Sequence, residues 1–225
     1  MSLNSKNKQL GFLTRLLDSA PAVERYQIAL DQIIHAEKLG YDNAWIAQHH
    51  FDPHEGGLPS PFVLLSAAGQ VTRKITLGTA VITLSFENPL RVIEDATVLN
   101  LLHQQRLELG LGSGATDATF TGFGLKAENR RQIFSHNFER FREILQQKQT
   151  LYPAPEASSG KTWRATFSEQ GAAIAGASGF GLMLSRKQSR NAGGEQSMVA
   201  SQHRIMDSYL AAWPAGMNSR SMDAR

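Results

Sequence analysis

The stretch Asn43-Ala44-Trp45-Ile46-Ala47-Gln48-His49-His50-Phe51 is mostly apolar as far as Ala47, ends in two adjacent imidazoles, and loosens into Asp52-Pro53-His54-Glu55-Gly56-Gly57. A short apolar run closed by polar residues and a Gly-Pro-rich loop reads as a buried strand. In folds of alternating strands and helices, the C-terminal ends of the strands carry the chemistry. The fold class depends on what surrounds this strand.

Upstream, residues 8–14 (Leu10, Phe12, Leu13) read as a first strand, and residues 21–39 as a helix with Tyr26, Leu30, Ile33 and Ile34 on one face and Gly40 as its stop. Downstream, residues 43–47 are followed by a helix over 61–71, a third strand over 74–84, and a helix from Pro89 with Val92, Ala96 and Leu99 inward. A fourth strand over 106–111 precedes a helix over 129–149, where Phe134, Phe138, Phe141 and Leu145 form an i, i+4, i+7, i+11 stripe. Residues 163–167 and 181–185 read as fifth and sixth strands, 169–178 as a short helix, and 198–213 as a last helix with Met206, Tyr209, Leu210 and Trp213. Six strand-helix units in succession predict an α/β fold with a parallel sheet, either doubly wound or a (β/α)8 barrel. A full barrel needs eight units and about 250 residues, so this chain is two units short. Residues 1–214 are expected to form one domain, and residues 215–225, which lack periodicity, a disordered tail.

With 225 residues and 41% hydrophobic content, the chain can bury a substantial core. Lys and Arg number 23 against 20 Asp and Glu, interspersed along the expected helices, so no nucleic-acid surface is indicated. The absence of Cys excludes disulfides and a thiolate nucleophile and fits a reducing compartment. With a polar N-terminus and no apolar run of membrane-spanning length, a soluble cytoplasmic protein is expected.

On strand geometry His49 and His50 point to opposite faces, so one at most reaches a strand-end pocket as a general base or hydrogen-bond donor. The plain alternative is that both pack the loop. His49, His50, Asp52, His54 and Glu55 are ligand types found in zinc and iron sites. Adjacent imidazoles are nonetheless poor joint ligands, and the other strand ends offer Ser113, Ser168 and Ser185, so no metal is expected. Gly110-Leu111-Gly112-Ser113-Gly114 is a turn that lets backbone approach a phosphate or flat ring, or simply a tight turn. Its G-x-G-x-x-A spacing lacks the apolar helix a dinucleotide fingerprint requires, because residues 116–124 show no helical period. Ser168 is an N-cap candidate whose helix start suits phosphate, Arg130 and Arg131 open another helix, and Gly78-Thr79-Ala80-Val81 leaves room for a flat ligand or packs the core.

Taken in order, Ala44–Phe51, Ile75-Thr76-Leu77-Gly78-Thr79-Ala80-Val81, Asn88-Pro89-Leu90-Arg91-Val92-Ile93-Glu94-Asp95, residues 105–114 and Thr121-Gly122-Phe123-Gly124 resemble the bacterial luciferase-like, flavin-dependent monooxygenase family over roughly residues 9–190. The resemblance implies a TIM-like (β/α) barrel, here incomplete with about six of eight units and no counterpart of strands seven and eight. It implies FMN at the C-terminal mouth, reduced by a separate reductase, and oxygenation of a small organic substrate by O2. His49 matches the family's oxygenation histidine, while Gln48 stands where the family commonly has Glu. Ala80 and Val81 match a non-proline cis peptide under the flavin ring. Gly112 falls in the matching glycine turn, and Ser113, Arg131, Ser168 and Gly171 match positions around the flavin phosphate. The family's dimer contacts lie on early helices, so a homodimer is expected. A non-catalytic or degenerate flavin-binding relative, a deazaflavin-dependent oxidoreductase of the same superfamily, and a metal-dependent hydrolase are the competing readings.

Overall fold

Short parallel strands organise the chain, and bulky side chains meet absent ones where two of them are registered with their neighbours. The computed structural model describes residues 8–146, 151–155, 161–185, 198–214 and 221–223. Two compact units emerge, Met1–Ala80 with Val98–Glu108, and Val81–Thr97 with Leu109–Arg225.

In the first unit, β1 (Gly11–Thr14), β2 (Asn43–Ile46), β3 (Thr76–Thr79) and the start of β5 (Leu107–Gly112) pair in parallel in that order. Strand β2 is buried throughout. Trp45 is registered with Gly78, and a Cβ at Gly78 would fall 2.2 Å from the indole. Helix α1 (Ala22–Lys38) ends as its glycine foretells: Gly40 has φ of 83°, with Gly40 N–H donating to Glu37 O and Tyr41 N–H to Ala36 O. Its buried face is Ala29, Ile33 and Ala36, with the expected Tyr26, Leu30 and Ile34 half-buried at the edge. Near the end of α1, Glu37 accepts the N–H groups of Arg73, Lys74 and Ile75, the last at 2.8 Å, and so ties down the entry to β3. Burial pushes that carboxyl up, but the three backbone donors and the Arg106 charge outweigh it and hold it below the usual range.

Helix α2 (Pro61–Val71) starts on Pro61, which fits a first-turn position. His103 is buried against it: a Cβ at Gly69 would fall 2.4 Å from the imidazole. Arg106 donates to the carbonyls of Gly69, Thr72, Ile75 and His103, gathering the end of α2 and the approach to β3 around one guanidinium.

In the second unit, β4 (Ile82–Thr83) pairs with the end of β5, followed by β6 (Thr162–Ala165), β7 (Gly181–Leu184) and β8 (Ser221–Asp223), all parallel. The tryptophan device recurs, with Trp163 registered with Gly181 and a Cβ there only 2.3 Å from the indole. Helix α5 (Arg130–Gln146) buries Phe134, Phe138, Phe141 and Ile144; Ile144 replaces the expected Leu145, which is half-buried, and residues 147–149 lie outside the described residues. Arg164 is buried under this helix, 5.0 and 4.4 Å from the centroids of Phe134 and Phe138. Burial pushes its guanidinium down to about 10, so it remains charged near neutrality. Helices α6 (Glu169–Ala177) and α7 (Met198–Ala212) pack with β7 through Ala172, Ala175, Leu182, Leu184, Ile205 and Tyr209. Met206 and Trp213 pack against that cluster as expected, while Leu210 is exposed.

Helix α3 (Pro89–Leu102) buries Val92, Ile93 and Leu99, with Ala96 half-buried. Four expectations change. The third strand is not continuous: β3 ends at Thr79 and β4 starts at Ile82. Ala80–Val81 is trans, and the cis bond among the described residues is Tyr152–Pro153; trans is the low-energy form by about 3–4 kcal/mol for a non-proline bond. A six-residue helix, α4 (Asp117–Gly122), occupies the stretch that lacks helical periodicity; Phe120 is its buried apolar side chain, packed against Phe86. Finally, residues 221–223 of the expected tail form β8 beside β7, correcting both the disordered reading of those residues and the absence of any strand after the sixth. Backbone pairing with a buried neighbour needs no side-chain period. No helix among the described residues is long and apolar enough to cross a membrane.

Two predictions follow from this packing. Gly78→Ala and Gly181→Ala should each lower unfolding free energy by roughly 1–3 kcal/mol, read as a reduced Tm with secondary structure retained. Burial first, and then Arg106, hold the His103 imidazole below its usual 6.5, against a hydrogen bond to the Ser66 backbone. The unfolded chain therefore binds the proton more readily, and the stability His103 contributes is complete above about pH 6.5 and lost as pH falls below it. Melting from about pH 7.5 to 5.5 should show a falling Tm, with a shallower slope in His103→Gln.

Candidate functional site

At the C-terminal end of β2, the backbone turns from strand to loop under Gln48 and His49. Gln48 is buried, and its Nε2 donates to Pro59 O at 3.1 Å. An ionised carboxylate could not donate that bond, so the amide here has a structural partner that Glu would lose. His49 is half-buried; its N–H donates to Leu58 O at 2.9 Å, and a Cβ at Gly56 would fall 2.4 Å from the ring Cδ2. Arg15, just past β1, donates to Glu55 O and pairs with the Glu55 carboxylate at 3.4 Å. Burial lowers the His49 pKa, Arg15 lowers it further, Glu55 opposes, and His50 adds to the lowering. At neutral pH the ring is therefore mostly uncharged, with one nitrogen able to accept a proton. His50 is half-buried, its ring centroid 6.0 Å from that of Phe51. Ala80, also in the first unit, is half-buried and donates to Ile46 O at 2.8 Å.

In the second unit, Val81, Gly112 and Ser113 come together. A Cβ at Gly112 would fall 2.5 Å from Val81 Cγ2, Leu84 N–H donates to Gly112 O at 3.0 Å, and Ser85 Oγ donates to Ser113 O at 2.9 Å. Gly114 takes φ of 79°, a conformation glycine adopts without strain, and a Cβ there would meet Thr83 at 2.7 Å. The glycine turn is thus moulded onto residues 81–85.

Ser168 caps α6, its Oγ accepting the Gly171 N–H at 3.1 Å. Thr166 joins them: its Oγ1 accepts the Ser168 N–H at 3.2 Å, and a Cβ at Gly171 would fall 2.1 Å from it. Hydroxyls and backbone N–H groups at the start of a nine-residue helix have the chemistry to hold a phosphate. Arg131 is exposed in the first turn of α5, whereas its neighbour Arg130 pairs with Asp117 and lies 5.1 Å over the Phe120 ring. Arg15, Gly56, Ser85 and Thr166 were not singled out in the sequence. Only Thr166 had a local signal, a hydroxyl two residues before the cap. Among the described residues, no group of three His, Asp or Glu is placed to hold a metal ion.

The family model for luciferase-like monooxygenases matches residues 11–199. An uncharacterised protein, y4vJ of Sinorhizobium fredii, is 33% identical over 120 residues, 53% of this chain and 34% of that protein. The alkanal monooxygenase alpha chain of the Kryptophanaron alfredi symbiont is 32% identical over 100 residues, 44% of this chain and 28% of that one. The matched stretches thus span about a third or less of these curated relatives. Among solved structures, monooxygenase RslO1 from Streptomyces bottropensis superposes with TM-score 0.77 at 20% identity, covering 95% of this chain and 70% of that one. The oxygenating constituent of 3,6-diketocamphane monooxygenase from Pseudomonas putida, solved with FMN, gives TM-score 0.72 at 17% identity, covering 91% and 62%. An F420-dependent secondary alcohol dehydrogenase gives 0.68 at 17%, covering 95% and 68%. These likenesses identify the fold as an incomplete TIM-like (β/α) barrel. With its family model matched from residue 11 to residue 199, the chain belongs to the luciferase-like monooxygenase family.

Proposed function

We propose that this chain is an FMN-dependent monooxygenase that uses reduced flavin and O2 to oxygenate a small organic substrate. The observation that carries the reading is the half-buried His49 at the end of β2, held mostly neutral by burial and by Arg15. The family resemblance would make it the oxygenation histidine, which supports this reading. The donor set at the start of α6 fits the phosphate of a flavin, and Thr166, Ser168 and Gly171 would hold it, with Ser113 and Arg131 as further contacts. Val81 and Gly112 would flank the ring, as the family resemblance implies. When bound, the reduced flavin supplies the electron pair for oxygen activation. His49 contributes an imidazole nitrogen that accepts and returns a proton, and the loop over its ring limits the access of water.

A separate reductase would supply the reduced flavin. Exposed Val63 and Val71 on α2, with Val98, Leu101 and Leu102 on α3, supply apolar surface for a homodimer. A second reading, hydride transfer with a deazaflavin, draws support from the fold likeness to the F420-dependent dehydrogenase. The test is a titration of the purified chain with FMN and with F420, followed by oxygen uptake with reduced FMN and an aldehyde acceptor. Tight FMN binding and acceptor-dependent uptake are expected. F420 binding without FMN binding selects the second reading, and FMN binding without uptake leaves a non-catalytic flavin binder.

His49→Asn should retain FMN and lower turnover by roughly 10²-fold or more. Because the working ring is neutral, activity should rise with pH to a plateau, with an acid-limb midpoint below the usual 6.5. Ser168→Ala should weaken FMN binding by roughly tenfold through a lost phosphate contact.

A further inference from the structure

The loop that covers His49 is tied down from two sides. From β1, Arg15 donates through Nη2 to Glu55 O, pairs with the Glu55 carboxylate at 3.4 Å, and offers its own carbonyl to Gly57 N–H at 3.0 Å. From β2, the His49 N–H holds Leu58 O at 2.9 Å. Between these ties, Gly56 is buried so close to the imidazole that a Cβ would fall 2.4 Å from Cδ2 and 2.6 Å from Cγ. Helix α1 secures the earlier part of the loop through Arg25, whose Nη1 donates to Pro53 O at 2.9 Å. The ring thus has a wall of backbone against it, held on one flank of Gly56 by the Arg15 guanidinium at Glu55 and on the other by the Arg15 backbone carbonyl at Gly57.

We propose that Arg15 is a positioning residue for His49: by holding Glu55 through its guanidinium it keeps the adjoining Gly56 against the imidazole and so fixes the ring's orientation and its readiness to take a proton. The proposal rests on the reading of His49 as the proton-handling group, but its physical content is a coupling between two side chains, measurable whether or not the chain turns over substrate. The charged and titratable groups acting on the ring are Arg15 from the end of β1, Glu55 from the loop and His50 beside it. Arg15 and Glu55 act in opposite senses on the imidazole, Arg15 disfavouring its protonation and Glu55 favouring it. That opposition separates a specific role from general loosening. Glu55→Gln removes a negative charge yet keeps the backbone carbonyl that Arg15 holds, whereas Arg15→Gln removes the positive charge and the side-chain tie to Glu55 and leaves the backbone bond to Gly57 in place.

The experiment is an NMR pH titration of the His49 imidazole in the full chain, its signal assigned by loss in His49→Asn, with FMN binding measured alongside. Arg15→Gln should raise the His49 midpoint, and Glu55→Gln should lower it. Arg15→Lys, which keeps the charge and loses the forked donor, should fall between wild type and Arg15→Gln. An unchanged midpoint in Arg15→Gln would overturn the proposal. So would upward shifts in both Arg15→Gln and Glu55→Gln, the mark of a merely loosened loop. If Arg15→Gln fails to fold, the direction of the Glu55→Gln shift decides. Loss of FMN binding in wild type would count against the proposed function and leave this coupling standing or falling on its own titration.

Discussion

Neighbouring parallel strands lie about 4.8 Å apart, too close for an indole to lie over a neighbour that carries a side chain. This constraint sets the register in both units. Trp45 lies on Gly78, and Trp163 lies on Gly181, each pair directly registered across adjacent strands. Trp45 is also bounded on its other side, where a Cβ at Gly11 would fall 3.1 Å from the ring. A slip of one residue would bring a side chain under the indole and turn every residue of the strand to the opposite face. The direction in which β2 delivers Gln48 and His49 therefore depends on a contact several residues earlier, made by a side chain with no chemical role.

The same close approach recurs where the candidate residues stand. Gly56 lies on the His49 ring, Gly112 on Val81, and Gly171 against Thr166. At each place the missing Cβ lets backbone act as a wall or a donor. Charge then tunes what packing has placed. Glu37 secures the entry to β3 by accepting three consecutive N–H groups, and Arg15 with Glu55 brackets the His49 ring with opposed charges. Exposed ion pairs such as Arg140 with Glu143 contribute little by comparison, because water screens them.

Much of this was legible in the residues. The Phe134, Phe138 and Phe141 stripe, the glycine stop at Gly40 and the Ser168 cap all express local rules, and each is met in the structure. The substitution of Ile144 for Leu145 at the end of the stripe reflects the drift of a 3.6-residue turn against an integer spacing. Helix α4 escaped because six residues offer one apolar anchor, Phe120, and no period. The break between β3 and β4 escaped because an unbroken apolar run looks the same whether the backbone stays straight or bends. Among the candidate residues, His49, Gly112 and Ser168 stand out by type and position. Arg15 does not, because an arginine after a strand resembles any solvated cation until its partner is known.

By itself, then, the sequence determined the alternation of strands and helices, the parallel sheet this alternation demands, and the family to which its ordered segments conform. These are properties of periodicity, chain direction and local backbone preference, which neighbouring residues carry among themselves. Tertiary structure alone decided that Arg15 meets Glu55 across forty positions, that Gly56 closes on His49, and that Ser221–Asp223 joins β7. Each of those is a contact between segments remote in the chain. Its energy arises only once the sheet has brought the partners within reach, so no local pattern records it.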